Sequence, residues 1–197
     1  MLEEGESILF LGPGDSPLFD WLRAEGEPVW QTAEPISVAI VRERRAGHLV
    51  SYGYRHIIGG DVLEAIRHRA VNLHISLLPW NRGADPNLWS FVDGTPSGVT
   101  IHFIDAGVDT GDIIAQRELE FDLHKETLAT SYTALQAAIQ RLFIEHWVAI
   151  KDASCTRTPQ SGEGSFHRLR DKERIMAALD RGWDTLLIEL QGFQQRG

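Results

Sequence analysis

Three polar side chains alternate with aliphatic ones in residues 71–77, VNLHISL. As a strand, this stretch puts Asn72, His74 and Ser76 on one face, because side chains two residues apart point the same way. An amide, an imidazole and a hydroxyl in one row can donate hydrogen bonds and carry a proton. The row leads into a glycine-containing loop, LPWNRGADPNLW, and ligand sites of open α/β sheets lie where strands end. We therefore predict that this face is functional.

The loop DAGVDTGD, residues 105–112, offers a carboxylate that can serve this row. Asp109 considered alone would be ordinary turn chemistry. Together with Asn72 and His74, it completes a set of hydrogen-bond donor, titratable group and carboxylate. Such a set suits the stabilisation of a tetrahedral oxyanion while a proton moves.

Other arrangements of these residues are weaker. Ser76, His74 and Asp109 resemble a hydrolytic triad, but same-face neighbours on a strand lie roughly 7 Å apart and the chain has no GxSxG elbow. The spacing of His102 and Asp105 matches no strong metal-binding motif. We therefore predict no metal site and expect His102 to be a hydrogen-bonded strand residue.

Strand and helix patterns alternate along the first part of the chain, which predicts an α/β fold with a mostly parallel, Rossmann-like sheet flanked by helices. Strands are predicted at residues 7–12, 37–42, 48–53, 71–76, 98–105 and 113–122. Helices are predicted at residues 17–26, 59–70, 85–94 and 125–150, and a terminal helical hairpin at residues 170–193. We expect a catalytic domain at residues 1–153, followed by a linker and a small C-terminal helical extension at residues 154–197.

Charge and composition limit the class of partner. The net charge of −9 over 197 residues repels phosphate backbones, so we expect no nucleic-acid partner. The single cysteine, Cys155, excludes an intramolecular disulfide and fits a reducing cytoplasm. The start of the chain, MLEEGESILF, is acidic where a signal peptide would be basic, and no apolar run approaches the ~20 residues of a membrane span. We expect a cytoplasmic protein without membrane contact.

The segments NLHISLLPWNRG and GVTIHFIDAGVDTGDII resemble the signature of the N10-formyltetrahydrofolate-dependent formyltransferases. The hallmark residues of that family fall on Asn72, His74, residues 76–79 and Asp109. The resemblance spans roughly residues 7–150 and implies the formyltransferase fold, with N10-formyltetrahydrofolate as cosubstrate and no metal.

Within that family, WNRGADPNLW (80–89) and YGYRHII (52–58) are most similar to the sugar N-formyltransferases. Ile75 follows His74 where the purine and tRNA enzymes typically have proline. The acidic charge, and the lack of the C-terminal β-barrel domain of the tRNA enzymes, also argue against a tRNA acceptor. The resemblance implies formyl transfer to a nucleotide-linked amino sugar, with dTDP-linked sugars favoured.

Several alternatives stay open beside this one. The acceptor can instead be glycinamide ribonucleotide or another small amine. Water in place of the amine would make the protein a formyltetrahydrofolate hydrolase, although family hydrolases usually carry an additional N-terminal domain. A silent folate-binding module would not need Asn72, His74 and Asp109 together. The oligomeric state is also open, with a homodimer among the alternatives.

The resemblance also implies residue roles. The acceptor amine would attack the formyl carbon while Asn72 donates to the developing oxyanion and His74 donates to it or shuttles a proton. Asp109 would hold His74 charged or oriented, or position a water that relays the proton; a nearby carboxylate favours the imidazolium.

Folate and acceptor would occupy different segments of the chain. The residues predicted to bind folate are Tyr54, Ile57, Ile58, Asp105, Gly107 and Gly111. The residues predicted to bind the acceptor are Ser76, Trp80, Asn81, Arg82 and Asn87. Among these, the Arg82 guanidinium can pair with a diphosphate, and the Trp80 indole can stack on a base or sugar.

Overall fold

The fold is built on a six-stranded sheet, as described by a computed structural model for residues 5–191 and 193. The strands, in chain order, are β1 (Ser7–Leu11), β2 (Val29–Thr32), β3 (Ala46–Ser51), β4 (Ala70–His74), β5 (Arg82–Gly83), β6 (Gly98–Phe103), β7 (Ile113–Glu118) and β8 (Phe166–His167). The large sheet has the order β2-β1-β3-β4-β6-β7, and β5 pairs separately with β8. The predicted catalytic domain and C-terminal extension each include residues outside the described ones, namely residues 1–4 of the first and residues 192 and 194–197 of the second.

Strand direction changes twice across the large sheet. β1 is parallel to β2 and β3, and β3 is parallel to β4. β6 then pairs antiparallel with both β4 and β7. The prediction of a mostly parallel sheet is confirmed, and the first change of direction lies between β4 and β6.

The helices are α1 (Pro17–Ala24), α2 (Val38–Glu43), α3 (Gly60–Ala65), α4 (Pro86–Val92), α5 (Leu128–Lys151), α6 (Asp171–Ala177) and α7 (Leu187–Leu190). α1 and α5 share a hydrophobic core with one face of the sheet, while α2 and α3 cover the other face near β1 and β3. The long helix α5 begins at a capping box in which Thr127 and Thr130 each accept a hydrogen bond from the other's backbone N–H.

The prediction of a strand at residues 37–42, SVAIVR, is wrong, because most of this segment forms helix α2. Only Val41 is fully buried, against the second core, while Val38 and Ile40 are half-buried. A short apolar run of this kind is compatible with either structure, and periodicity alone does not separate them.

The C-terminal helices confirm the predicted helical extension. A third core joins α4 and the start of α5 to Ile175 of α6 and to Leu187 and Leu190 of α7. Tertiary packing of these short helices stabilises them where intrinsic propensity would not. Among the described residues, no helix has both the length and the apolar composition needed to cross a membrane.

Candidate active site

Strands β4 and β6 place the predicted polar row on one face of the sheet. Val71 and Leu73 of β4 pack in the core with α1 and α5, so alternation turns Asn72 and His74 to the opposite face. The antiparallel register sets Asn72 directly opposite His102 of β6. The side chains of His74 and His102 are both buried.

Asp109 meets this row from the loop between β6 and β7. Its φ of 53° is in the left-handed region, which aspartate and asparagine adopt more readily than most residues. Oδ1 accepts a hydrogen bond from Nδ2 of Asn72 at 3.1 Å, and Oδ2 accepts one from the backbone N–H of Gly83 at 2.9 Å. The loops after β4 and β6 are therefore joined at this carboxylate.

The hydrogen bonds of His74 fix its ring orientation. Nε2 donates to the backbone oxygen of Asn81 at 3.0 Å, because a carbonyl oxygen can only accept. Nδ1 lies 3.6 Å from Oδ2 of Asp109. In the neutral ring, Nδ1 therefore presents its lone pair towards the carboxylate, and one proton can lie between the two groups.

Burial decides the charge state of this pair. It lowers the pKa of His74 below its ordinary value, against the opposing effect of the Asp109 charge. Burial raises the pKa of Asp109, but the charge of His74 and the neighbouring His102 outweigh it, so that the pKa of this carboxyl lies below its usual range. At neutral pH the pair is thus a neutral imidazole beside a carboxylate. Of the roles expected for Asp109, holding His74 as imidazolium is therefore disfavoured by desolvation, while orienting the ring or positioning a water stays a prediction.

His102 is a member of this cluster that sequence reasoning did not assign to the site. Its Nδ1 donates to the backbone oxygen of Phe103 at 2.8 Å, which leaves Nε2 of the neutral ring as an acceptor, 3.2 Å from Nδ2 of Asn72. Nε2 also lies 3.4 Å from Oδ1 of Asp109. The sequence signal was a histidine at a polar position of the strand that leads into the Asp109 loop. Within residues 5–191 and 193, no group of three or more His, Cys, Asp or Glu residues is placed to hold a metal ion.

The segment predicted to bind folate after β3 is partly exposed. The Ile57 side chain is 82% exposed, whereas Ile58 packs against the second core. Tyr54 donates its hydroxyl hydrogen to the backbone oxygen of Glu34 at 2.9 Å. Of Tyr54, Ile57 and Ile58, Ile57 is therefore the side chain that is most available to a ligand.

The second segment predicted to bind folate is a tight loop. Oδ1 of Asp105 accepts hydrogen bonds from the Gly107 backbone N–H at 3.0 Å and the Thr110 hydroxyl at 2.6 Å. Gly111 passes so close to β6 that an added Cβ would lie 1.9 Å from the backbone oxygen of Phe103. Asp105 and Gly111 thus shape the loop that carries Asp109, whatever they contact in a complex.

Two of the side chains predicted to bind the acceptor are accessible. The Trp80 side chain is 36% exposed. Arg82 is half-buried and donates through Nε and Nη2 to Oε1 of Gln160, at 3.0 and 2.8 Å. A guanidinium and an indole therefore lie on the segment that follows β4.

The other three side chains predicted to bind the acceptor are buried and hydrogen-bonded inside the protein. Ser76 donates to the backbone oxygen of Trp80 at 2.7 Å, which also turns its hydroxyl away from a triad role. Asn81 donates to two hydroxyls, and Asn87 accepts from the Ser131 hydroxyl and donates to the Leu128 backbone oxygen. This burial weighs against acceptor contact, and we leave Ser76, Asn81 and Asn87 out of the acceptor site proposed below.

Comparison with solved structures supports the fold assignment. The formyltransferase PseJ from Anoxybacillus kamchatkensis, in complex with UDP-4,6-dideoxy-4-formamido-L-AltNAc and tetrahydrofolate, matches with a TM-score of 0.89 at 45% identity, covering 94% of this chain and 98% of that one. A likely sugar N-formyltransferase from Mycobacterium tuberculosis matches with a TM-score of 0.76 at 28% identity, covering 94% of this chain and 84% of that one. The predicted formyltransferase fold is confirmed.

Two curated relatives differ in their acceptors. A methionyl-tRNA formyltransferase from Anaeromyxobacter dehalogenans is 42% identical over 181 residues, which are 88% of this chain and 57% of that protein. A dTDP-4-amino-4,6-dideoxyglucose formyltransferase from Mycobacterium tuberculosis is 38% identical over 107 residues, which are 54% of this chain and 45% of that protein. This chain thus spans about half the length of these two relatives. A family model described as formyl transferase matches residues 25–146, and the chain belongs to that family.

Proposed function

We propose that this protein transfers the formyl group of N10-formyltetrahydrofolate to the primary amine of a nucleotide-linked amino sugar and so produces an N-formyl sugar. The observation that carries the proposal is the cluster of Asn72, His74 and Asp109 on the open face of β4, in a chain that is 45% identical to a formyltransferase solved with a formamido sugar nucleotide and tetrahydrofolate.

The reaction needs one proton to leave the attacking amine. In the proposed step the amine nitrogen bonds to the formyl carbon and the bond from that carbon to N10 breaks. The amine gives up one proton, and N10 gains one as tetrahydrofolate leaves. Neutral His74 beside the Asp109 carboxylate is a pair with room for one proton, which suits it to take the proton from the amine.

Asn72 is the proposed donor to the developing oxyanion. Its side-chain nitrogen lies within hydrogen-bond distance of both Asp109 and His102. Donation to an oxyanion requires one of these two contacts to be given up in the complex. An amide held in place by its neighbours is already oriented, which is the property that makes such donors effective.

Folate is proposed to bind between the loop after β3 and the loop that carries Asp109. Ile57 and Val108 are exposed apolar side chains on these two loops, 82% and 41% exposed. A bound pterin would cover part of this apolar surface, and backbone groups of the two loops would form hydrogen bonds with its polar edge. The roles of Tyr54, Ile58, Asp105, Gly107 and Gly111 stay predictions.

The acceptor is proposed to bind through Trp80 and Arg82. A guanidinium pairs well with a diphosphate, and an indole stacks on a base or a sugar ring. The sequence favours dTDP-linked sugars, and the similarity to a structure containing a UDP-linked sugar adds UDP-linked 4-amino sugars to the candidates. The net charge of −9 disfavours tRNA, the acceptor named for one of the relatives. The cytoplasmic location and a homodimer stay predictions.

The test is a formyl-transfer assay with mass detection of the product. The acceptor panel contains dTDP-, UDP- and GDP-linked amino sugars, glycinamide ribonucleotide, initiator methionyl-tRNA and a blank without acceptor. We expect one sugar nucleotide to gain a single formyl group and His74→Gln to slow that gain by about 10²- to 10⁴-fold. Formylation of glycinamide ribonucleotide or tRNA alone would overturn the sugar assignment, and turnover in the blank would indicate a hydrolase.

A further inference from the structure

The segment Thr158–His167, called the strap below, crosses the loops that hold the catalytic side chains. It lies beyond residues 25–146, which match the family. At its start, the backbones of Thr158 and Ile113 exchange two hydrogen bonds, of 2.8 and 3.0 Å. At its end, Phe166 and His167 form β8, which pairs with Arg82 and Gly83 of β5. The segment predicted as a linker is thus paired at both ends with strands that border the active site.

Gln160 of the strap bonds to both loops at once. Its Nε2 donates to the backbone oxygens of Asp109 and Gly111, each at 2.8 Å. Its Oε1 accepts from Nε and Nη2 of Arg82, at 3.0 and 2.8 Å. A glutamine amide has two N–H donors and two acceptor lone pairs, so the whole hydrogen-bonding capacity of Gln160 is used to join the Asp109 loop to Arg82.

Ser165 makes the equivalent connection on the His74 side. Its Oγ accepts from the Asn81 backbone N–H at 2.8 Å and donates to Oδ1 of Asn81 at 3.0 Å. The backbone oxygen of that same asparagine accepts from Nε2 of His74 at 3.0 Å. Asn81, which is fully buried, therefore lies between the strap and the catalytic histidine.

We propose that Gln160 and Ser165 of the strap are positioning residues, which hold Asp109 and His74 at the geometry of their contact. The inference rests on the proposed function, since it assigns the strap a place in the same formyl transfer. Gln160 acts through the backbone of Asp109, and Ser165 acts through the backbone of Asn81.

The backbone of Asp109 explains why such support is needed. With a φ of 53°, Asp109 is in a conformation that costs most non-glycine residues free energy. Its carbonyl oxygen and that of Gly111 lie at a turn, where the donated N–H groups of Gln160 fix their direction. Without Gln160, this turn would lose both hydrogen bonds, and only the bonds from Asn72 and Gly83 would oppose movement of the carboxylate away from Nδ1 of His74.

The kinetic test compares Gln160→Met, which keeps the length of the side chain and removes its hydrogen bonds, with Glu163→Gln, an exposed position on the same strap. Displacement of a catalytic group by about 1 Å can cost about 10²-fold in rate. We expect kcat of Gln160→Met to fall by about 10- to 100-fold, with little change in the KM for folate. Glu163→Gln should behave as wild type. Ser165→Ala should also lower kcat, and Ser161→Ala, which changes an exposed serine of the strap, should not.

A second measurement follows His74 directly and needs no acceptor. Burial lowers the pKa of His74, and the charge of Asp109 opposes this effect. If the carboxylate moves away, the pKa of His74 should therefore fall further. The ring signal of His74 is assigned as the signal that disappears in His74→Gln. We expect the NMR titration of this signal to shift to lower pH in Gln160→Met. An unchanged titration together with wild-type kcat would overturn the proposal, as would equal effects in Glu163→Gln. If the wild type formylates no acceptor, the proposed function fails, while the titration still tests the strap.

Discussion

Asp109 and His74 lie face to face, with Oδ2 and Nδ1 3.6 Å apart and side chains that are 12% and 7% exposed. Burial keeps the imidazole neutral, and the carboxylate keeps its charge. The pair therefore has one place for a proton and little water to compete for it. Each partner can be changed in a way that separates its chemistry from its effect on the fold.

Asp109→Asn removes the charge but not the shape of the side chain. Asparagine tolerates the left-handed backbone of this position, and its Oδ1 can still accept from the Gly83 N–H. We expect kcat to fall by about 10²- to 10⁴-fold with little change in unfolding temperature, measured by single-turnover formyl transfer and thermal unfolding. Asp109→Ala, which adds backbone strain, should lose stability as well. Activity of Asp109→Asn within a few-fold of wild type would contradict a catalytic role of the carboxylate.

The pH dependence of activity should report neutral His74. Because burial lowers the pKa of His74, the neutral form should persist below the ordinary value of about 6.5. We expect kcat/KM to rise with pH along a limb centred below about 6.5, and this limb to be absent in His74→Gln. The value of kcat/KM would be measured between about pH 4.5 and 8. The titration of the acceptor amine would be determined separately. A limb centred above pH 7 would contradict a neutral buried imidazole.

His48 of β3 should make the fold sensitive to acid. Burial and then the positive charge of Arg69 lower its pKa to about 4, whereas the unfolded chain takes up this proton near pH 6.5. Stability is therefore lost as the pH falls from about 6.5 towards about 4. We expect a loss of about 2 kcal/mol between pH 7.5 and 5, measured by urea unfolding. His48→Gln should lose much less over this range, and an unchanged acid loss in that variant would assign the effect to another group.

Asn87 provides a test of structural role against acceptor binding. It is 2% exposed, and its amide links α4 to Leu128 and Ser131 of α5. We expect Asn87→Ala to lower the free energy of unfolding by about 1–3 kcal/mol, with an unchanged KM for the sugar nucleotide. Ser131→Ala is the matched control, since it removes the other partner of one hydrogen bond. A raised KM at unchanged stability would restore Asn87 to the acceptor site.

Arg82 should affect the acceptor more than folate. Its guanidinium is held by Oε1 of Gln160 through two hydrogen bonds, a fork that lysine cannot reproduce. We expect Arg82→Lys to raise the KM for the sugar nucleotide by about 10-fold, corresponding to about 1.4 kcal/mol of binding free energy, with the KM for folate unchanged. Equal increases in both constants would contradict a role confined to the acceptor.

Much of the site was predictable because strand alternation is a local property. The spacing of Asn72 and His74 places them on one face without knowledge of any partner strand. His102 could not be assigned in that way, since its position opposite Asn72 depends on the register of β4 with β6. The lowering of the His74 pKa could not be predicted for a related reason: the sequence shows its carboxylate partner but not how deeply the ring is buried.

The strap was not predictable from composition. SCTRTPQSGEGS has the glycine, serine and proline content of a linker, and its hydrogen bonds are made to loops far away in the chain. Three of the hydrogen bonds by which Gln160 and Ser165 join those loops are made to backbone atoms, which leave no mark on the residue types of their partners. Residues 37–42 illustrate the opposite difficulty, a local pattern that is equally compatible with helix and strand.

The change of strand direction at β4 has a consequence for enzyme engineering. A strand with an antiparallel neighbour needs no crossover helix, and the cover over Asn72 and His74 comes from the loops around Gly83 and Asp109. In the proposed site, Asn72 and His74 therefore lie on a strand of the sheet, whereas Trp80 lies on the loop that follows it. A combinatorial library at Trp80 and its loop neighbours should be able to change which amine is accepted while the sheet stays untouched.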